Sequence, residues 1–280
     1  MPGTIKKYFP VFVLPTLIAF LIAFFIPFLM GIWLSFCNFT TVVDAEWVGM
    51  KNYIRAFSNQ DFLQALWFTV CFTVVSVVSI NLFAFFLALL LTCGIKGTNW
   101  FRTVFFMPNL IGGIVLGYIW MLILNGVLAK FGVSLTYDPR YGFWGLVILM
   151  NWQMIGYMMI IYIAGIQNVP TELNEAAKMD GATGIQILRY VTVPMVMPSI
   201  TICLFLTLTN SFKLFDQNLA LTNGAPSGQT TMLALDIYNT FYGRIGWEGV
   251  GQAKAVIFFL IVAVISFTQL VLTRRKEVES

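Results

Sequence analysis

The feature that most constrains this chain is an apolar stretch that returns six times, each long or nearly long enough to cross a bilayer. A spanning helix needs about 20 mostly apolar residues. Such stretches occupy approximately 10–36, 66–93, 104–124, 143–166, 195–212 and 255–273. The second, "LWFTVCFTVVSVVSINLFAFFLALLLTC", holds no Asp, Glu, Lys or Arg. Only 10% of the 280 residues are charged, where a soluble domain carries about 25%. The expected fold is therefore an all-α membrane protein with six transmembrane helices. The first stretch is longer than a signal-peptide core of about 7–15 residues. It ends in Trp33 and Phe36, so it is expected to stay in the membrane. Pro15 and Pro27 interrupt it, while Pro108, Pro194 and Pro198 open the third and fifth spans. Neighbouring helices can satisfy the carbonyls that such kinks release. Trp67, Phe143, Trp144 and Phe212 at span ends suit an interfacial aromatic belt.

An even number of spans puts both termini on one side. That side (1–9, 94–103, 167–194 and 274–280) carries nine basic residues in 54 positions, against seven in 89 on the other. The bias, which includes Lys6, Lys7, Arg274, Arg275 and Lys276, places both termini in the cytoplasm. Several function classes drop out. The chain has no His, which removes zinc sites of the HExxH type and Ser-His-Asp triads. Cys37, Cys71, Cys93 and Cys203 lack a CxxC spacing and are expected to be small buried hydrophobes, with no metal bound. "GAPSGQTT" (224–231) lacks the lysine of a phosphate-binding loop. There is no basic stripe for nucleic acid. The spans are almost free of ionisable residues, unlike those of proton-coupled carriers. No catalytic residue is expected.

Between spans four and five the chain interrupts itself with "ELNEAAKMDGATGIQILRYVTVPMVMP", Glu172–Pro198. Glu172 and Glu175 lie early in a helix that follows Pro170, as the helix dipole favours. Leu173, Ala176 and Ala177 make one apolar stripe at helical spacing. Asp180-Gly181 is a turn signal, and Thr183 followed by Gln186 is a capping box that starts a second short helix. Gly181 should sit in the turn with a positive φ. A helix-turn-helix hairpin at the membrane surface is expected; on shape alone, it could equally be a loop resting on lipid.

The spacing Glu175-Ala176-Ala177, three residues, Gly181, nine residues, Val191-x-Val193-Pro194 resembles the EAA loop of type I ABC importer permeases. In that family the hairpin is a coupling helix that docks on a separate ATPase. The resemblance implies ATPase-coupling roles for Glu175, Ala176, Ala177 and Gly181. It also implies that the chain binds no cofactor, ATP and magnesium being used by the partner. "WVGMKNYIRAF" (47–57), "FRTVFFMPNLIGGIVLGYIW" (101–120) and "FKLFDQNLALTNGAPSGQTTMLALDIYNTFY" (212–242) resemble the carbohydrate (maltose and multiple-sugar) branch, in the first of its two permease types. The implied layout is an N-terminal tail, first span and external segment over 1–66, a five-span transmembrane domain over 67–270, and a cytoplasmic tail over 271–280.

Sugars are held by aromatic faces together with amide and hydroxyl groups. Span four offers Asn151, Trp152, Gln153 and Tyr157; the end of span five offers Asn210, Ser211, Phe212, Phe215, Asp216, Gln217 and Asn218. The resemblance points to Trp152 and Tyr157, and to the span-five cluster, as sugar-contacting. Interhelix packing and hydrogen bonding compete for the same residues. Asn109, Gly112 and Gly113 suit close helix packing alone. The function implied is that of a permease subunit in an ATP-driven oligosaccharide importer of a prokaryotic cell membrane. Its partners would be a second homologous permease, ATPase subunits, an extracytoplasmic sugar-binding protein and membrane lipid. An importer of glycerol phosphate or another polar solute, or a self-sufficient carrier, are the alternatives.

Overall fold

A computed structural model describes residues 2–275. The side chains of Lys6 and Lys7, and the tail from Lys276 onward, lie outside the described residues. In chain order the helices begin with α1 (Pro2–Phe20) and α2 (Ile26–Leu34), followed by α3 (Lys51–Ser58) and α4 (Gln60–Thr92). The middle of the chain forms α5 (Thr98–Phe106), α6 (Gly113–Leu128) and α7 (Pro139–Gln167). Next come α8 (Thr171–Met179), α9 (Gly184–Ile187), α10 (Val193–Met195) and α11 (Met197–Phe212). The last are α12 (Asp216–Leu221), α13 (Leu233–Gly243) and α14 (Glu248–Arg274). Among the described residues, five stretches are long and apolar enough to cross a membrane: Val11–Leu34, Gln60–Thr92, Gly113–Phe131, Pro139–Gln167 and Glu248–Arg274. The pair Gly184–Met195 and Met197–Phe212, bent by 70°, makes a sixth if it is counted as one broken span.

Prolines explain where these helices deform. Widened π turns at Leu21–Phe25 and Leu188–Thr192 each stand two residues ahead of a proline, Pro27 and Pro194. A proline ring clashes with the carbonyl four residues back. That carbonyl belongs to Ala23 or Tyr190, the middle residue of each wide turn, and the extra residue per turn opens space for the ring. The third span differs from expectation. Pro108 sits in a 3₁₀ turn, Met107–Leu110, and Gly112 is extended (ψ 141°), so α5 stops at Phe106 and the apolar helix starts at Gly113 instead of 104. The last span also starts early, at Glu248, which brings Lys254 into the helix, fully buried.

The chain forms two compact units. In the larger (61–236 and 260–280), the core joins α4, α7 and α11 through Phe72, Ile80, Leu146, Met150, Met158 and Cys203. Asn81 links those three helices: its Nδ2 donates to Thr207 Oγ1 (2.9 Å) and its Oδ1 accepts from the Tyr162 hydroxyl (2.6 Å). Interhelix hydrogen bonds of this kind hold bundles together where lipid supplies no hydrophobic drive. Small residues permit the closest approaches. A Cβ on Gly156 of α7 would run into the backbone of Phe105, and one on Gly117 of α6 would lie 2.7 Å from Ala220 Cβ of α12.

In the smaller unit (1–60 and 237–259), a two-stranded hairpin pairs Cys37 with Trp47 and Asn38 with Glu46. Its turn is closed by Asp44 Oδ1, which accepts from the Thr41 and Thr40 amides at 2.8 and 3.0 Å. Those amides, Thr41 first, hold the carboxyl below the usual range. The four cysteines are free; Cys37 and Cys203 are buried as expected, but Cys71 is only half-buried and Cys93 is exposed at the end of α4. Two aromatics expected in a belt turn inward. Phe212 is buried, and Phe143 packs edge-on to Phe68 and Phe72. Trp67 and Trp144 are exposed.

Candidate functional site

Two features stand out, both within the larger unit. The first is the hairpin of α8 and α9. Helix α8 ends in a Schellman turn, with the Ala182 amide donating to the Ala177 carbonyl and the Gly181 amide to the Lys178 carbonyl, both at 3.0 Å. Gly181 has φ +81°, and a Cβ there would meet nothing within 4 Å. Backbone conformation alone therefore requires glycine. Thr183 opens α9 with a full capping box: its amide donates to Gln186 Oε1 (2.7 Å) and its hydroxyl accepts from the Gln186 amide (3.4 Å). Both local expectations hold. Glu175 and Ala176 are exposed and Ala177 is half-buried. Leu173 (43% exposed), Met179 (88%) and Ile185 (79%) are apolar and uncovered in the same polar hairpin. That combination suits a surface made to receive another protein.

The second feature is a cavity of about 220 Å³ lined by Asn109, Met150, Gln153, Met154, Asn210, Lys213, Leu214 and Gln217. Three separate segments build it: the 3₁₀ turn after α5, the middle of α7, and the junction of α11 with α12. Gln217 Nε2 donates to Gln153 Oε1 at 2.8 Å, which orients both amides. Asn210 Nδ2 donates to the Leu206 carbonyl (2.8 Å). Amide and ammonium groups beside two methionines and a leucine can bind a small polar solute with apolar patches.

Of the candidate pathway residues, Gln153, Asn210 and Gln217 come together here. Trp152 is exposed on α7, edge-on to Trp120 at 5.6 Å, and Tyr157 meets Phe106 at 6.3 Å; neither lines the cavity. Ser211 is buried and donates to the Thr207 carbonyl (2.7 Å). Phe212 instead lines an apolar groove with Val74 and Val78. Phe215 precedes α12, and Asp216 is exposed on it, close to Gly113. Asn151 donates to Ser79 Oγ (2.9 Å). Asn218 is wholly buried and staples the following loop, donating to the Thr230 carbonyl and accepting from the Met232 amide. Lys213 and Asn109 were not among the expected lining residues. Asn109 had looked like a packing residue.

Comparison with known proteins agrees with this architecture. Residues 94–278 match the family described as binding-protein-dependent transport system inner membrane component. The probable starch degradation products transport system permease protein AmyD of Thermoanaerobacterium thermosulfurigenes is 45% identical over 96% of this chain and 94% of its own length. The trehalose/maltose transport system permease protein MalF of Thermococcus litoralis is 30% identical over 91% of this chain and 89% of its own. Among solved structures, a chain of a bacterial alginate ABC transporter, in complex with an alginate pentasaccharide-bound periplasmic protein, superposes with a TM-score of 0.81. It is 21% identical, with coverage of 97% of this chain and 96% of that one. Five apolar helices and one bent apolar pair on a type I permease fold, the family match over most of the chain and end-to-end relatives converge on one conclusion: this chain belongs to the binding-protein-dependent transport system inner membrane components, as a non-catalytic permease subunit of an ABC importer.

Proposed function

We propose that this chain is one of two homologous permeases of an ATP-driven oligosaccharide importer in a prokaryotic cell membrane. Both termini lie in the cytoplasm, and the α8–α9 hairpin docks on a separate ATPase that binds ATP and magnesium. An extracytoplasmic sugar-binding protein delivers the substrate. The division at 67 and 270 into an N-terminal segment, a five-span domain and a tail belongs to this proposal, as do the pathway roles of Trp152, Gln153, Tyr157, Asn210, Ser211, Phe212, Phe215 and Asp216. Sugars of the class released from starch are the first substrates to test, on the strength of the relative that is 45% identical.

The observation that carries the proposal is the hairpin. It combines a rigid Schellman turn and capping box with exposed Leu173, Met179 and Ile185. A rigid element with uncovered apolar groups transmits force to a partner better than a loop can. Closure of the ATPases would move the hairpin and, through Pro194 and the bend before α11, the walls of the cavity. Two substitutions test this. Gly181→Val forces a β-branched residue into positive φ, and Ala177→Trp adds bulk to the docking face. Each is expected to lower the ATPase that co-purifies, or to leave ATP hydrolysis unlinked to sugar, with membrane insertion unchanged. Wild-type attachment and coupled transport in both variants would overturn the coupling role.

A further inference from the structure

Helix α3 divides its circumference into three sectors. At about 100° per residue, Asn52 and Ala56 lie within about 40° of each other, and both are buried. Met50 at the N-cap, Ile54 and Phe57 share a sector of about 60° on one flank, and all three are exposed, Ile54 by 64%. Lys51 and Arg55 share the other flank, and both are exposed.

The buried sector fixes the level of α3 within its unit. Asn52 Nδ2 donates to the Ser35 and Cys37 carbonyls at 3.0 and 2.8 Å, and the Tyr53 and Ser35 hydroxyls are 2.6 Å apart. Ser35 ends α2, the first span. Gly249, the second residue of α14, is pressed so closely that a Cβ would lie 2.7 Å from Asn52 Nδ2. Helix α3 therefore sits where the first span ends and the last begins. Aromatic groups gather at the same level. Phe36 packs on Trp47 at 5.2 Å and on Tyr53 at 5.0 Å, and the Arg244 guanidinium lies 5.3 Å from the Trp247 ring. Tryptophan and tyrosine collect at the headgroup level of a bilayer. A helix with an apolar flank and a basic flank lies flat in that layer.

We propose that α3 is an interfacial anchor. Met50, Ile54 and Phe57 sink into the boundary between headgroups and acyl chains, and Lys51 and Arg55 hold lipid phosphate oxygens. The anchor sets the depth of the first span. A water-facing α3 would leave its apolar flank uncovered beside charged residues, and only a protein partner could then cover it.

The test is photo-crosslinking in the assembled importer, with ATPase and binding protein present, in vesicles of phosphatidylethanolamine and phosphatidylglycerol. Benzoylphenylalanine replaces Ile54, or Met50 if the first variant assembles poorly, and Arg55 in parallel; adducts are identified by mass. Expected are phospholipid adducts at Ile54 or Met50, several-fold more abundant than at Arg55. In the double variant Lys51→Gln, Arg55→Gln, the phosphatidylglycerol share of adducts at Ile54 should fall. Adducts to a protein chain at Ile54 and Met50, or none at either, would overturn the anchor. An unchanged phosphatidylglycerol share would overturn the phosphate contact.

Discussion

The cavity is decided by individual side chains. Gln153 and Gln217 hold each other at 2.8 Å, so their remaining donors and acceptors point in fixed directions. Lys213 supplies the charged group among the lining residues. If sugar passes here, Gln153→Leu and Asn210→Leu should raise the KM for uptake while ATPase attachment stays normal. One lost hydrogen bond is worth about 0.5–1.5 kcal/mol, or roughly two- to tenfold in KM. Uptake kinetics in vesicles would show it, and unchanged KM in both variants would move the pathway elsewhere. Trp152→Ala and Tyr157→Ala, compared in the same assay, decide whether aromatic contact contributes. Asn218→Ala should behave differently. Its buried Oδ1 and Nδ2 tie down the loop to Met232, and orphaned buried partners cost about 1–3 kcal/mol each, so thermal stability should fall with little selective effect on KM. The sequence showed the amides of this site but not their grouping. Asn109, Gln153 and Lys213 are far apart in the chain, and only tertiary packing brings them to one cavity. Nothing local separates Gln153, which lines it, from Trp152 one residue earlier.

Among the elements, the hairpin was legible because its signals are local. Gly181 and the Thr183–Gln186 pair act within a few residues, and no tertiary contact overrides them. Thr183→Ala should cost about 1 kcal/mol of local stability, visible as faster amide hydrogen exchange over α9 with the core unaffected. Equal exchange would mean that packing, not the cap, holds α9. The third span was misread for a related reason. Pro108 and Gly112 break a stretch that is apolar on both sides, and hydropathy registers apolarity, not continuity. That break gives the site its Asn109. Close helix approach is likewise invisible until partners are known. Gly156 lies against the backbone of Phe105 and has no room for a side chain. Gly156→Leu should therefore separate α7 from α5. Overpacking typically costs about 1–3 kcal/mol, and here the obstacle is backbone. Loss of folded protein in a detergent melt is expected; a wild-type melting temperature would contradict the packing.

At the scale of the whole molecule, the chain is a permease subunit of an ABC importer. Its surface is apolar along the spans, with Leu82, Phe83, Val264 and Phe267 exposed, as a lipid-facing bundle requires. One cavity and one hairpin carry the polar groups of the candidate site. The all-α membrane class was readable from composition and run length, because hydrocarbon tolerates little besides helices. The ATPase partner is proposed only through the EAA spacing. The central claim is that energy enters from a separate ATPase, and it is tested most directly by reconstitution. The chain and its permease partner are placed in vesicles with binding protein and labelled starch-derived oligosaccharide on one side and ATP on the side of the hairpin, with and without the ATPase. Accumulation against the gradient is predicted only when ATPase and ATP are both present; accumulation by the permeases alone would contradict it.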